Sequence, residues 1–456
     1  MFKRIFLFIF FFSVLAYGED ALNNYVRIGL ANNLALQQKE FSLKRSMAAL
    51  TEARGMFLPS VSIEARYTRA GGGRIIDFPV GDLMNPVYES LNYLLKAPLF
   101  PTNLPNERIP FLREEEHDTK IRLIQPLFQP GIVYNYKIHS DLKKTESLSR
   151  DLYARHLVAD IKTAYYQYLQ AVQIVSLLDE THELLEENVR VSQSLFNHDK
   201  VTQDVVFRAE AELFEFEQQQ AEAKKGLKLA ASYFNFLLNR PFTTEIETIE
   251  ENHPGIGAPQ HLEADQERAV QIREEIRQLE YVVSIHKNTR RASQTTFLPG
   301  VTAVVDYGYQ GEAYQFGPED DYWMASLVGS WNLFNGFQDK ARIDQARYAE
   351  KEAESQIEAV RQQIRLQVTE AYHNVQVALE SIEAADAQKK SARKSFSIIE
   401  KQYAQGMAPQ IAFIDARSTK TGAEVNAIVT LYDYWIKLAE WEKITAGYNI
   451  KHQTQE

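Results

Sequence analysis

Hydrophobic positions along this chain follow two periods, and the switch between them occurs in the same order twice. Over Ala21 to Arg54 the apolar residues recur at helical spacing, and the pattern stops before Pro59. From Ser60 to Arg69 the period drops to two. Val61, Ile63, Ala65 and Tyr67 share one side, which predicts a strand. Thr119 to Leu127 predicts a second strand. Residues 132–225 then hold no glycine and no proline, and residues 132–196 predict a single long helix leading into a turn and another helix. The series begins again with a helix over Glu263 to Ser293. Strands over Val301 to Tyr309 and Trp323 to Leu333 follow, and then a helix over residues 338–405, again free of glycine and proline.

The long helical stretches carry a narrower pattern. Ile357, Val360, Ile364, Val368, Ala371, Val375, Ala378, Ile382 and Ala385 are separated by threes and fours, the seam of a helix that supercoils with neighbours. As single helices, residues 132–196 and 338–405 would each run on the order of 100 Å at about 1.5 Å per residue. The alternative is a pair of shorter helices joined at an unmarked kink.

The landmarks also repeat. Phe57-Leu58-Pro59-Ser60 returns as Phe297-Leu298-Pro299-Gly300, and Pro126-Leu127-Phe128 as Asn332-Leu333-Phe334. Ala164-Tyr165 returns as Ala371-Tyr372, and Phe196-Asn197-His198-Asp199 as Tyr403-Ala404-Gln405-Gly406. A period this long is a duplicated half-molecule rather than a solenoid unit. We divide the chain into a signal peptide at 1–18, a first repeat at 19–240, a linker at 241–262, a second repeat at 263–448 and a tail at 449–456. The repeats differ between their strands. Pro59 to Pro126 spans 67 residues against 33 from Pro299 to Asn332, so the first repeat carries 34 extra residues in a surface loop at 68–118. A short helix is expected within it near Pro86 to Leu95.

Composition narrows the setting. Lys3 and Arg4, the apolar run Ile5 to Leu15, and Ala16-Tyr17-Gly18 form a secretion signal rather than a membrane anchor, the run being about half the roughly 20 residues a spanning helix needs. Without it, 48 Lys and Arg face 61 Asp and Glu, a net charge of −13 that disfavours nucleic acid as a partner. The absence of cysteine excludes disulfides, thiolate metal sites and a lipidated N-terminal cysteine. No cofactor motif is found: Gly71-Gly72-Gly73-Arg74 follows a strand but opens no nucleotide-type helix. Glu114-Glu115-Glu116-His117-Asp118 reads as a solvated charge run, with divalent-ion binding the sharper alternative. No nucleophile and base stand at a suggestive spacing, so catalysis is not expected.

An exported chain without a second apolar helix is either soluble or spans a membrane as strands. The strand lengths suit a tilted membrane crossing, and Tyr67, Tyr307, Tyr309, Tyr322, Trp323 and Trp331 stand near strand ends; a small soluble sheet is the alternative. Four strands cannot close on themselves, and open edges are not tolerated in lipid. Three chains would supply twelve strands, and the helices would complete themselves as a barrel of coiled coils. The expected fold is a mixed α and β membrane protein: a trimeric twelve-stranded β-barrel, four strands per chain, continuous with a long α-helical barrel.

Taken together, the duplicated Phe-Leu-Pro before a strand, Leu-Phe before a long helix, Ala-Tyr within it and helix-turn-helix tip resemble the TolC-like outer-membrane efflux protein family over about residues 20–448. The resemblance implies a homotrimeric channel in outer-membrane lipid, reaching into the periplasm of a Gram-negative cell. Its partners would be a periplasmic adaptor (membrane fusion) protein and an inner-membrane pump or ABC transporter. It also implies that the turns His198-Asp199-Lys200-Val201-Thr202 and Gly406-Met407-Ala408-Pro409 dock the adaptor. Of the family's two acidic gate positions, Ala412 and Asp415 stand here, so Asp415 alone would form a carboxylate ring, and Tyr403 matches the family's gate tyrosine. The family's arginine–aspartate lock falls on Ala408 and Val205, so closure is expected to rest on packing more than charge. The competing readings are a periplasmic adaptor and a structural coiled-coil protein without a pore.

Overall fold

The structure is a computed structural model that describes residues 17–248 and 257–448. Residues 1–16 of the expected signal peptide, 249–256 of the linker and the tail 449–456 lie outside the described residues. The first repeat runs α1 (Tyr17–Asn32), α2 (Leu34–Gly55), β1 (Ser60–Arg69), β2 (Ile75–Phe78), α3 (Val80–Leu95), β3 (Glu107–Pro110), β4 (Glu115–Phe128), α4 (Pro130–Asn197) and α5 (Gln203–Leu237). The second runs α6 (Leu262–Ile272), α7 (Glu274–Gln294), β5 (Gly300–Gly311), β6 (Asp321–Ser330), α8 (Gln338–Ala404) and α9 (Gln410–Ile444). Both hairpins recur at one spacing, 207 residues, and α5 and α9 are each 35 residues long.

Several expectations are corrected. The single helix foreseen over Ala21 to Arg54 is two, broken at Asn33. Its side-chain oxygen accepts hydrogen bonds from the amides of Ala35 and Leu36 at 3.0 and 3.1 Å, capping α2 while its amide group donates to the Leu237 carbonyl. The helix over Glu263 to Ser293 breaks at Arg273, whose backbone is extended. Arg273 lies 240 residues after Asn33, the offset that also relates Pro59 to Pro299, so the break belongs to the duplication. The surface loop is shorter and more structured than expected. Strand β4 starts at Glu115, so the acidic run ends inside a strand, with His117 fully buried. Strand β6 ends at Ser330 rather than Leu333. The long helices α4 and α8 run without a break, which removes the kinked alternative.

The chain forms two compact units. The helical unit comprises residues up to Ala48, Ser140–Lys287 and those from Arg347 onward. Its core draws on both repeats: Tyr25 and Val26 from α1, Leu157, Ile161 and Tyr165 from α4, Phe234 from α5, Ile364 and Val368 from α8, and Tyr432 and Trp435 from α9. Every residue of the predicted seam from Ile357 to Ala385 is buried or half-buried, and the alanines there permit close helix approach. The C-terminal end of the described chain is pinned by polar contacts. Arg155 makes a bidentate pair with Glu274 at 2.7 and 3.0 Å, and the Tyr448 hydroxyl donates to the Arg155 carbonyl at 2.6 Å.

The strand unit comprises Ala49–His139 and Asn288–Ala346. Its main sheet is antiparallel in the order β1-β4-β5-β6, with β1 and β6 as open edges. Register places Ile63, Ile121, Tyr307 and Trp323 across one row, and Ser62, Arg122, Asp306 and Met324 across the next. Cross-strand partners share a face, so one face is apolar and aromatic and the other polar and charged. The β4–β5 ladder shifts register between Pro126 and Phe128, because proline offers no amide to the ladder. Duplication is visible here too. The Phe57 carbonyl accepts from the Gln125 side chain at 3.0 Å, and the Phe297 carbonyl from Trp331 at 3.1 Å.

Candidate functional site at the hairpin tips and the polar sheet face

The tips are built alike although their sequences differ. Helix α4 ends with Asp199 in the left-handed conformation at φ 58°, and α8 ends with Gly406 at φ 71°. In the first tip the Lys200 amide reaches back to the Leu195 carbonyl at 2.9 Å and that of Asp199 to Phe196 at 3.0 Å. In the second, Met407 reaches Gln402 at 2.8 Å and Gly406 reaches Tyr403 at 2.9 Å. This paired closure satisfies the last carbonyls of each helix. The His198 ring donates to the Ser194 carbonyl at 2.7 Å, and the Thr202 hydroxyl donates to Asp204. Pro409, extended, starts α9. His198, Asp199, Lys200, Thr202, Gly406, Met407 and Pro409 are exposed, while Val201 and Ala408 are half-buried.

Between the two hairpins, α5 and α9 meet along buried stripes. Gln410 donates to the Val205 carbonyl at 2.8 Å. Arg417 donates to Glu212, with both side chains about nine-tenths buried, and its guanidinium lies 5.7 Å from the Phe216 ring. Phe413 packs against Phe396 at 5.6 Å and stacks on Tyr403 at 4.9 Å. The arginine–aspartate lock positions are Ala408 and Val205, and α5 and α9 are tied elsewhere, by the buried Arg417–Glu212 pair. Sequence reading passed over Arg417 and Glu212. The available signal was their place on the apolar period, Phe413-Arg417-Thr421-Glu424 on α9 and Ala209-Glu212-Phe216 on α5.

Of the two expected gate residues, Tyr403 is half-buried against Phe413, with its hydroxyl unpartnered. Asp415 is exposed, about 200° around α9 from both Phe413 and Arg417 at roughly 100° per residue. The structure therefore keeps Asp415 apart from the buried Arg417–Glu212 pair.

The polar face of the sheet carries a second ordered charge array. Arg122 on β4 grips Asp306 on β5 through two hydrogen bonds of 2.8 Å and reaches Glu64 on β1 at 3.1 Å. One row on, Lys120 pairs with Asp118 at 2.6 Å, and Asp118 accepts from Tyr322 of β6 at 2.9 Å. Opposite charges alternate along the face, so its charge is largely internally compensated. Among the described residues no cluster of His, Asp and Glu could hold a metal ion, and no helix is long and apolar enough to cross a membrane.

In the helical unit, burial pushes the His156 imidazole down, and the nearby Lys443 ammonium adds to the shift. Burial pushes the Asp160 carboxyl up.

Comparison with known proteins agrees with this architecture. Residues 267–447, which make up most of the second repeat, match the family of outer membrane efflux proteins. The chain is 19% identical to outer membrane protein TolC of Salmonella enteritidis over 434 residues, covering 93% of this chain and 81% of TolC. Its fold matches the CmeC outer membrane channel of Campylobacter jejuni with a TM-score of 0.73 at 15% identity, covering 97% of this chain and 91% of that one. It also matches the open state of the MtrE outer membrane channel of Neisseria gonorrhoeae, with a TM-score of 0.75 at 16% identity over 96% of this chain and 91% of the other. The family match stops short of the first repeat, but the 207-residue offset carries the same hairpin into it. By duplicated fold, the family match over its second repeat and near full-length relatives, this chain is similar to the TolC-like outer-membrane efflux proteins.

Proposed function

We propose that three copies form a channel through which small molecules or proteins leave the cell. Their four-stranded sheets close a twelve-stranded barrel in the outer membrane, and their helices form a tube in the periplasm. The observation that carries the reading is the sheet itself. It has one apolar aromatic face, one charged face and two open edges. A membrane barrel needs lipid-facing and lumen-facing residues to alternate, and lipid leaves no edge unpaired. Pairing β1 of one copy with β6 of the next satisfies both demands. The helical unit supports the same assembly, since α5 leaves Phe207 and Phe214, one heptad apart, exposed within a single copy.

In this reading the tips His198 to Thr202 and Gly406 to Pro409 receive the hairpins of a periplasmic adaptor, which links the channel to an inner-membrane pump or ABC transporter. Three Asp415 carboxylates ring the narrow end of the pore, with Tyr403 packed behind them. A ring of carboxylates in a narrow aqueous pore concentrates cations. The test is to isolate the protein from outer membranes in detergent, weigh it by light scattering and record it in planar bilayers. A trimer with discrete conductance steps is expected. Release by a salt wash as a non-conducting monomer would overturn the reading.

A further inference from the structure

The insertion between β1 and β4 packs one side of α3 against its own returning chain and leaves an apolar stripe bare on the other. Met84, Tyr88 and Leu91 are half-buried on the packed side, with Tyr88 stacked on Phe100 at 5.2 Å, and the helix turns amide side chains inward beside them. Asn85 exchanges two hydrogen bonds with the backbone of Leu104, at 2.8 and 3.0 Å, and Asn92 does the same with Phe100, at 2.7 and 2.9 Å. Asn106 accepts from the Asp82 amide at 3.0 Å and donates to its carboxylate at 2.9 Å. Gly81 presses so closely on the returning chain that a Cβ there would lie 2.1 Å from the Leu104 carbonyl oxygen. These clamps hold α3 and residues 97–106 as one rigid piece. Its opposite side presents Leu83, Val87 and Leu94, with Leu83 and Leu94 62% and 74% exposed. A soluble helix keeps its apolar residues inward; here a second apolar stripe is ordered and left bare.

The geometry points to a second copy of this chain as what covers it. We infer that the three insertions of the proposed trimer pack Leu83, Val87 and Leu94 together as a cap over the outer mouth of the barrel, an inference that rests on the trimeric reading above. Three observations favour this occupant. The insertion grows from β1, the edge strand that must meet β6 of the next copy, so it stands at the boundary between copies. The β5–β6 connection lies at the same end of the sheet, because Arg69 pairs with Glu115 and Tyr309 with Asp321. The neighbour's connection is therefore beside it and offers exposed Tyr314 and Phe316. Finally, the bare stripe carries no charge, so copies related by a threefold axis meet there without repulsion. Lipid is the poorer occupant. Helices that lie on membranes carry Lys and Arg on their polar face, whereas α3 has Asp82 and Glu89 and no basic residue.

The chain has no cysteine, so single cysteines report cleanly. In the full-length protein in outer membranes, Val87→Cys and Leu94→Cys are treated with a short bis-maleimide. A covalent dimer is expected from each, while Glu89→Cys on the acidic flank stays uncrosslinked and reacts with a membrane-impermeant maleimide. Ala65→Cys combined with Ala325→Cys, on the two edge strands, reports the trimer independently. Dimers from the edge pair, with Val87→Cys and Leu94→Cys uncrosslinked and fully labelled from outside, overturn the cap and leave the trimer standing. Loss of both crosslinks overturns both. Quenching of a fluorophore at Leu94→Cys by brominated lipid in reconstituted vesicles also overturns the cap, in favour of the membrane. In bilayers, Leu83→Asp with Leu94→Asp is expected to raise single-channel conductance at least twofold; unchanged conductance removes any closing role.

Discussion

Arg417 of α9 donates to Glu212 of α5 inside the hydrophobic seam that joins the two hairpins of one chain, and both side chains are almost fully buried. Glu212 Oε2 and Arg417 Nε have no hydrogen-bond partner there, so the pair is incompletely compensated for its desolvation. Removing one member leaves the other charge buried alone, which costs about 3–5 kcal/mol, whereas replacing both by apolar residues is often nearly neutral. Glu212→Ala should therefore lower the thermal midpoint in detergent far more than Glu212→Met with Arg417→Leu. Equal losses from the two variants would show that packing alone holds the junction.

The two tips use the same left-handed residue with different side chains. Gly406→Ala places a Cβ in that conformation and should cost about 1–2 kcal/mol. Asp199→Gly should change stability in the opposite direction, by up to about 1 kcal/mol, since it relieves the same conflict. Thermal melts followed by circular dichroism read both. A destabilised Asp199→Gly would mean that the aspartate contributes something its backbone does not reveal.

On the sheet, Asp306 is fully buried within the chain and its carboxylate is held by both arms of Arg122. Arg122→Ala should destabilise the strand unit by leaving the Asp306 carboxylate without its partner. Arg122→Ala with Asp306→Ala should recover part of that. The measurement is the temperature at which detergent-solubilised protein loses its folded gel mobility.

Asp415→Ala should leave the fold intact, because the side chain is exposed. In planar bilayers it should weaken block by divalent and trivalent cations at least tenfold if the proposed carboxylate ring exists. Unchanged block would remove Asp415 from the gate.

A pH dependence follows from Glu275. Burial alone would raise its carboxyl, but the hydrogen bond and charge of Arg273 outweigh burial and hold it below the ordinary carboxylate range. A folded value below the unfolded one contributes stability that is complete above the unfolded value and lost as pH falls through the folded one. Glu275→Gln should therefore flatten the acid limb of the stability profile and leave its slope near neutral pH unchanged. Melting temperatures across the acid range test this.

Local pattern carried a large part of the architecture. Strand β1 was legible to the residue, because alternation over Val61 to Tyr67 is unambiguous where proline and arginine bound it. The long helices were legible because 94 residues without glycine or proline, at 132–225, leave a turn of ordinary residues as their only interruption. The breaks at Asn33 and Arg273 were not, since both residues are tolerated in helices. What breaks the chain at Asn33 is a cap supported by the Leu237 carbonyl, 204 residues away. Among the candidate site residues, the tips could be read from turn chemistry and duplication. Arg417 and Glu212 could not, because a charge on an apolar stripe is ordinarily a solvated exception.

The sequence by itself thus determined the long helices, the four main strands, the repeated order of landmarks and the split between apolar and polar strand faces, all of which depend on residue spacing along the chain. Only the tertiary structure decided which buried charges meet, which side of α3 faces outward and which strands are left as edges. Those depend on residues far apart in sequence arriving at the same place, where a charge is stabilised only by its partner and an apolar side chain only by what covers it.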